Sequence, residues 1–167
     1  AALIAGYLVE ADMRGFHSHG SDQLPAYARG FREGHLDAAA RPETTRRTGA
    51  IALVDGHNQL GHVVAEHATD LAAELAGEHG IGIVSVRDSN HFGMAGHWPL
   101  KLLRRGLVGF ATTNGPPVMT PWGGRAGAIC NNPFSWGIPA AEELPILLDM
   151  ALTAGARGRV RLAAQQG

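Results

Sequence analysis

The chain has 167 residues, 45% hydrophobic and 17% charged, with 14 Lys plus Arg against 15 Asp plus Glu and a formal net charge of -1. That much apolar surface can offset the entropy of chain ordering, which excludes disorder as the main state. The near balance of charge lacks the basic footprint of a nucleic-acid binder, and the length sets an expectation of one domain with at most a small annex.

Residues Ala1 to Asp12 carry Leu3, Ile4, Tyr7, Leu8 and Ala11 at helical spacing. MRGFHSHG, from Met13 to Gly20, has two glycines and no period, and reads as a loop. Ser21 is placed to cap a second helix, with Asp22 favourable in its first turn and Pro25 tolerated near its start. Leu24, Tyr27, Ala28 and Phe31 form its expected buried stripe, and Gly34 ends it. Arg41 to Gly49 is polar and basic, an exposed loop or edge. Ala50 to Asp55 is a short apolar strand closed by the Asp55-Gly56 turn pair. Asn58 is expected to cap a long helix with Leu60, Val63, Val64, His67, Leu71 and Leu75 on one face, and Gly80 stops it.

Ile81 to Val86 reads as a buried strand, followed by a polar loop from Arg87 to Gly96 that contains SNHFG. His97 to Arg105 is a helix with Pro99 in its first turn and Gly106 beyond its end. Leu107 to Thr113 is the next strand, and Asn114 to Pro133 is a long Gly/Pro loop of the kind that is usually functional or mobile. Phe134 to Ile138 and Ile146 to Met150 are strands. The order predicts an α/β fold with a mixed sheet and flanking helices. Residues 1–49 form an N-terminal helical segment carrying the SHG loop, and 50–167 form the α/β core.

Cys130 is the only cysteine, so no intrachain disulfide can form and a cytoplasmic setting is the expectation. No apolar run approaches the roughly 20 residues of a membrane span. The chain opens on Ala1 inside an apolar run and closes over Arg161 to Gly167 without a capping signal. It is therefore expected to be a piece of a longer chain, incomplete at the C-terminus.

Nine histidines invite a search for chemistry. His35, His57, His67 and His79 fall in helix ends, turns or amphipathic faces and read as structural or solvated. His19 differs, because it stands in a glycine-flanked loop beside Ser18, with His17 two residues back. His91 stands in a second loop just after a strand, where ligands of open α/β sheets bind. Asp149 ends the apolar run ILLDM and needs a partner, for which a histidine is the natural choice. Spacing leaves three readings open for Ser18, His19 and Asp149. One is acid/base catalysis through His19; one is a metal site drawing on His17, His19, His91 and Asp149; one is a loop that merely satisfies its own backbone. The Rossmann GxGxxG and the P-loop pattern are absent in their required contexts, so a dinucleotide, if bound, is held by another fold.

Four ordered segments carry a resemblance: ADMRGFHSHGSDQLPAYARGF, GIGIVSVRDSNHFGMAGH, ICNNPFSWGIP and LLDMA. They resemble the malate/L-lactate dehydrogenase family, the oxidoreductases that also include ureidoglycolate, sulfolactate and diketogulonate enzymes and cyclic-imine reductases. The chain is similar to the first half of such proteins. The resemblance implies a non-Rossmann NAD(P)-binding architecture, NAD or NADP as cofactor, hydride transfer to or from a small 2-oxo/2-hydroxy acid or cyclic imine, and a homodimer. It implies a Ser18–His19–Asp149 relay in which His19 moves the proton while Ser18 and Asp149 orient it. His91 matches a position with acid/base work in some members and cofactor contact in others. Asn90, His91, Phe92, Gly93 and Met94, together with Asn131, Asn132 and Pro133, match cofactor-contacting segments, and Thr113 and Asn114 are weaker candidates.

The chain departs from the family pattern at Gln23, where an Arg commonly binds the substrate carboxylate, with Arg14 as a substitute cation. Asn131 stands where Thr is usual. The rival readings are a metal-dependent hydrolase using His17, His19 and Asp149, and an inactive dimer-forming remnant.

Overall fold

In a computed structural model the described residues are 1–153 together with 163 and 164. Of the uncapped stretch Arg161 to Gly167, only Ala163 and Ala164 lie inside that range. The chain divides into two compact units, Ala1–Met94 and Ala95–Gly167.

The first unit holds α1 (Ala2–Met13), α2 (Leu24–Arg32), β1 (Glu43–Thr48), β2 (Ile51–Asp55), α3 (Gly61–His79) and β3 (Ile83–Arg87). Its sheet has the order β1-β2-β3, with β1 antiparallel and β3 parallel to β2. A parallel pair needs a crossover, and the 19-residue α3 supplies it. The helix buries Val64, Leu71 and Leu75 against Ala52 and Val54 of β2, with Val84 of β3 packed at the side. Gly80 ends it in the left-handed region, φ 77°, a conformation glycine adopts without steric cost. A second cluster of Leu8, Tyr27 and Leu60, flanked by Ile4, Phe31 and Leu36, joins α1 and α2 to the start of α3.

The second unit holds α4 (His97–Leu103) and a three-stranded antiparallel sheet in the order β4 (Gly109–Thr112), β5 (Phe134–Ile138), β6 (Ile146–Met150). The helix lies close on β4 and β5. A Cβ on Gly109 would meet Pro99 and Leu102, and one on Gly137 would meet Pro99 and Leu103. Among the described residues, no helix is long and apolar enough to cross a membrane.

The α/β class with a mixed sheet and flanking helices stands, with the refinement that the strands fall into one mixed and one antiparallel sheet. Several local expectations are corrected. The 17–19 stretch is a 3-10 turn and not a loop, and Ser21 opens a second such turn, Ser21–Gln23, instead of capping α2. Its N–H is taken by the Asp12 carboxylate. Asn58 does not cap α3, which begins three residues later. Asn58 sits at φ 64° in a turn and its amide donates to the His35 carbonyl at 2.8 Å. On α2 only Tyr27 is buried, whereas Leu24 and Ala28 face outward. The buried strand expected at Ile81 to Val86 is β3, and four of its five residues are exposed. Among the described strands it pairs only with β2, and α3 covers one face. The stretch from Arg41 to Gly49 does contain an exposed edge, β1, tied to α3 by Arg47 bonds to Glu74 at 2.7 Å and Glu78 at 2.6 Å.

Candidate active site

One 3-10 turn, one loop and three helices of the first unit bring a cluster of rings together. The 3-10 turn His17–His19 follows α1 and carries Ser18 and His19. Ser18 Oγ lies 3.0 Å from His19 Nδ1. That contact engages Nδ1. The His19 imidazole stacks on His91, with centroids 5.6 Å apart and planes 25° from parallel. His91 comes from the loop after β3. Its Nδ1 lies 2.5 Å from the Tyr27 hydroxyl, and when that hydroxyl donates, the neutral ring carries its proton on Nε2. Below lies His62 of α3, fully buried, with ring centroids 6.4 Å from His91, 5.7 Å from Tyr27 and 6.0 Å from Tyr7. Tyr7 of α1 donates in turn to Glu66 of α3.

This packing fixes charge states. His91 keeps an accessible edge, yet crowding by neighbouring rings disfavours its charged form, and the His19 charge adds to that. Its pKa is lowered to about 4. Two imidazolium charges at the stacked separation would repel by about 1–3 kcal/mol across effective dielectric constants of ~80 to ~20. The pair therefore carries at most one proton charge near neutrality. Burial raises the Tyr27 hydroxyl above its ordinary range, which keeps it protonated and able to donate.

A pH dependence follows with a definite sign. Unfolded His91 takes up a proton below its ordinary value of 6.5, whereas the folded ring resists until about 4. The unfolded state thus binds more protons in this window, and stability present above 6.5 is lost as pH falls toward 4. Urea midpoints measured across that range should fall for the wild type and stay flatter for His91→Phe; parallel curves would reject the assignment. Tyr27→Phe, which leaves the His91 acceptor without its donor, should cost about 1–2 kcal/mol in the same measurement. An unchanged midpoint would show that this bond carries no stability.

The other sequence-derived residues fall as follows. Asn90 donates its amide to the Asn58 and Gln59 backbone carbonyls and to Asn58 Oδ1, at 2.9–3.1 Å, so its side chain holds the loop. Phe92 is partly buried, and Gly93 and Met94 are buried. Gly93, at φ 78°, passes so close to His62 that a Cβ would lie 2.4 Å from Nε2. Gln23 donates to the Ser18 carbonyl at 2.6 Å. Arg14 pairs with Glu10 at 3.0 Å, one turn back on α1. His17 turns to Asp12 at 3.3 Å.

In the second unit, the Asp149 carboxylate accepts the Gly96 N–H at 2.7 Å. Thr113 Oγ1 donates to the Asn114 carbonyl. Asn131 accepts from the Cys130 thiol through Oδ1 and from Leu152 N–H through its carbonyl. Asn132 sits at φ 34°, and the Pro133 carbonyl accepts from Thr112 Oγ1 and the Thr113 N–H. Among the described residues, no group of three or more His, Cys, Asp or Glu side chains is placed to hold a metal ion.

Sequence reasoning missed Tyr27 as a partner of His91, His62 as the floor of the cluster, and Asp12 as the anchor of the turn. Tyr27 showed only helical periodicity, and nothing local ties it to a ring 64 positions away. His62 stands in the expected helix, where an imidazole gives no sign of being buried.

The family described as malate/L-lactate dehydrogenase matches residues 1–167. The chain is 38% identical over 165 residues to the L-sulfolactate dehydrogenase of Methanothermobacter thermautotrophicus, covering 99% of this chain and 48% of that protein. It is 36% identical to the (2R)-3-sulfolactate dehydrogenase (NADP(+)) of Chromohalobacter salexigens, covering all of this chain and 50% of that one. Among solved structures, the delta1-piperideine-2-carboxylate reductase of Pseudomonas syringae superposes with a TM-score of 0.92 at 30% identity, covering 99% of this chain and 50% of that one. The chain thus spans about half the length of the curated relatives it matches.

Proposed function

The chain belongs to the malate/L-lactate dehydrogenase family, and from that premise we propose that the whole protein is an NAD(P)-dependent oxidoreductase acting on a small 2-oxo/2-hydroxy acid or a cyclic imino acid. His19 serves as its acid/base. The observation that carries this reading is the Ser18–His19 pair stacked on a neutral His91. The names of the relatives support the substrate range: two act on sulfolactate and one on a cyclic imine.

The cofactor segments fit a dinucleotide in their chemistry. Asn90 to Met94 and Asn131 to Pro133 contain no carboxylate that would repel phosphates. His91 offers an uncharged Nε2–H, its other nitrogen being taken by Tyr27. The nicotinamide ring, when bound, supplies or accepts the hydride.

Within this chain the division of labour follows from charge. Ser18 engages Nδ1 of His19, so Nε2 is the nitrogen that gives a proton to the carbonyl oxygen or imine nitrogen and takes it back in reverse. With a pKa of about 4, His91 is protonated in roughly one molecule in a thousand at neutral pH. It therefore acts as a neutral donor and a stacking surface for His19, and the proton load rests on His19.

The test is a survey of the full-length protein with NADH and NADPH against a monocarboxylic, a dicarboxylic and a sulfonated 2-oxo acid and a cyclic imine. Turnover of at least one, unchanged by a chelator, is expected. A protein that leaves reduced-cofactor fluorescence unaltered and reduces none of these would sink the proposal, as would activity that vanishes on chelation and returns with zinc.

A further inference from the structure

The turn that carries Ser18 and His19 is tied by two side chains to which the proton chemistry gives no part. Asp12, near the end of α1, reaches forward with its carboxylate. Its Oδ2 accepts the Ser21 N–H at 2.9 Å, and its Oδ1 lies 3.3 Å from His17 Nδ1. Hydrogen bonds from Ser21, side chain first and then backbone, and the His17 contact hold this carboxyl below the usual carboxylate range. Gly20 is buried against it, since a Cβ there would lie 1.9 Å from Oδ1. From the other side, Gln23 Nε2 donates to the Ser18 carbonyl at 2.6 Å.

The turn itself has little to hold it. His19 N–H reaches the Phe16 carbonyl at 2.8 Å and Gly20 N–H the His17 carbonyl at 3.0 Å. A three-residue 3-10 segment with such bonds has poor hydrogen-bond geometry and no cooperative length. Its orientation therefore depends on outside anchors, and Asp12 and Gln23 bracket it from residue 17 to residue 21.

We propose that Asp12 and Gln23 are positioning residues that clasp the Ser18–His19 turn, Asp12 through Ser21 and His17 and Gln23 through the Ser18 carbonyl, so that the His19 ring is presented in one orientation. Gln23 is on this reading a support for the backbone and not a contact to substrate. The inference rests on the assignment of His19 as the proton-moving group, but its geometry can be tested apart from that assignment.

The experiment uses the full-length protein with carbon-13-labelled histidine and three variants, Asp12→Ala, Gln23→Met and Gln23→Arg. Asp12→Ala and Gln23→Met should each displace or broaden the His19 ring resonance without any ligand. Each should slow single-turnover hydride transfer about 10- to 100-fold, the scale of a misplaced catalytic group, with NAD(P)H affinity and KM for the oxo acid little changed. Gln23→Arg, whose guanidinium can donate to the same carbonyl, should keep the wild-type His19 resonance. Wild-type resonances in Gln23→Met would overturn the clasp, and so would a Gln23→Met effect confined to KM, which would assign the side chain to substrate. Should Asp12→Ala fail to fold, Gln23→Met at the partly exposed end of the turn decides alone. A wild-type protein that reduces no oxo acid would defeat the proposed function, and the resonance comparison would still decide the clasp.

Discussion

Replacing His19 with alanine in the full-length protein should lower turnover by about 10²- to 10⁴-fold, equivalent to about 3–5 kcal/mol of lost transition-state stabilisation. Reduced-cofactor affinity should change far less. The substrate heteroatom gains negative charge as hydride arrives and requires a proton donor at that moment. Of the two stacked rings His91 is the one excluded from this role, because burial and the neighbouring His19 lower its pKa to about 4. His91→Phe should therefore cost less in turnover than His19→Ala and should act more on cofactor affinity. Stopped-flow hydride transfer, paired with titration of NAD(P)H fluorescence, separates the two effects. A His19→Ala enzyme with near wild-type rates, or a His91→Phe enzyme that is the more severely slowed, would move the acid/base role off residue 19.

Gly61→Ala should be strongly damaging, because it drives the start of α3 against the loop that carries His91. A Cβ at Gly61 would lie 2.1 Å from the Asn90 carbonyl oxygen and 2.7 Å from the His91 carbonyl carbon and oxygen. Those neighbours are backbone, so no side-chain rotation relieves the contact. The start of α3 and the loop carrying His91 must separate, and overpacking of this kind costs about 3 kcal/mol or somewhat more. The same displacement loosens the Asn90 bonds to Asn58 and Gln59 and shifts His91 away from Tyr27. Chemical denaturation should show a lowered midpoint at unchanged slope, and the low pKa of His91 should rise toward its ordinary value as its ring loses its neighbours. A variant as stable as wild type would mean that this helix start and loop are not in close contact.

The elements of the fold were largely legible because they report on nearest neighbours. The apolar spacing of Leu60, Val63, Val64, Leu71 and Leu75 and the stop at Gly80 mark α3 without any knowledge of what it packs against. Local errors arose where a distant group captured a local one. Ser21 has the chemistry of a cap, but Asp12, nine residues earlier, takes its N–H. Asn58 likewise has the chemistry of a cap, but its Oδ1 accepts from the Asn90 amide, 32 residues later, and its own amide donates to the His35 carbonyl. The strand from Ile83 reads as buried because its composition is apolar. Whether a partner covers it depends on chain far away in sequence, and here most of it is exposed.

The candidate site divides along the same line. Ser18 and His19 are adjacent, so their pairing could be anticipated from the SHG segment, and residues 90 to 94 stand out as a polar loop after a strand. The Tyr27 bond to His91 and the burial of His62 could not be anticipated, since they join α2, α3 and the loop after β3. Sequence alone determined the kinds of element, their order and the residue types available for proton chemistry, because backbone preference and apolar period are set within a few residues. Only the tertiary structure decided that His91 resists protonation and which groups its ring and that of His19 meet. Desolvation and hydrogen-bond partnership depend on whatever the folded chain brings within a few ångströms, wherever in the sequence that group lies.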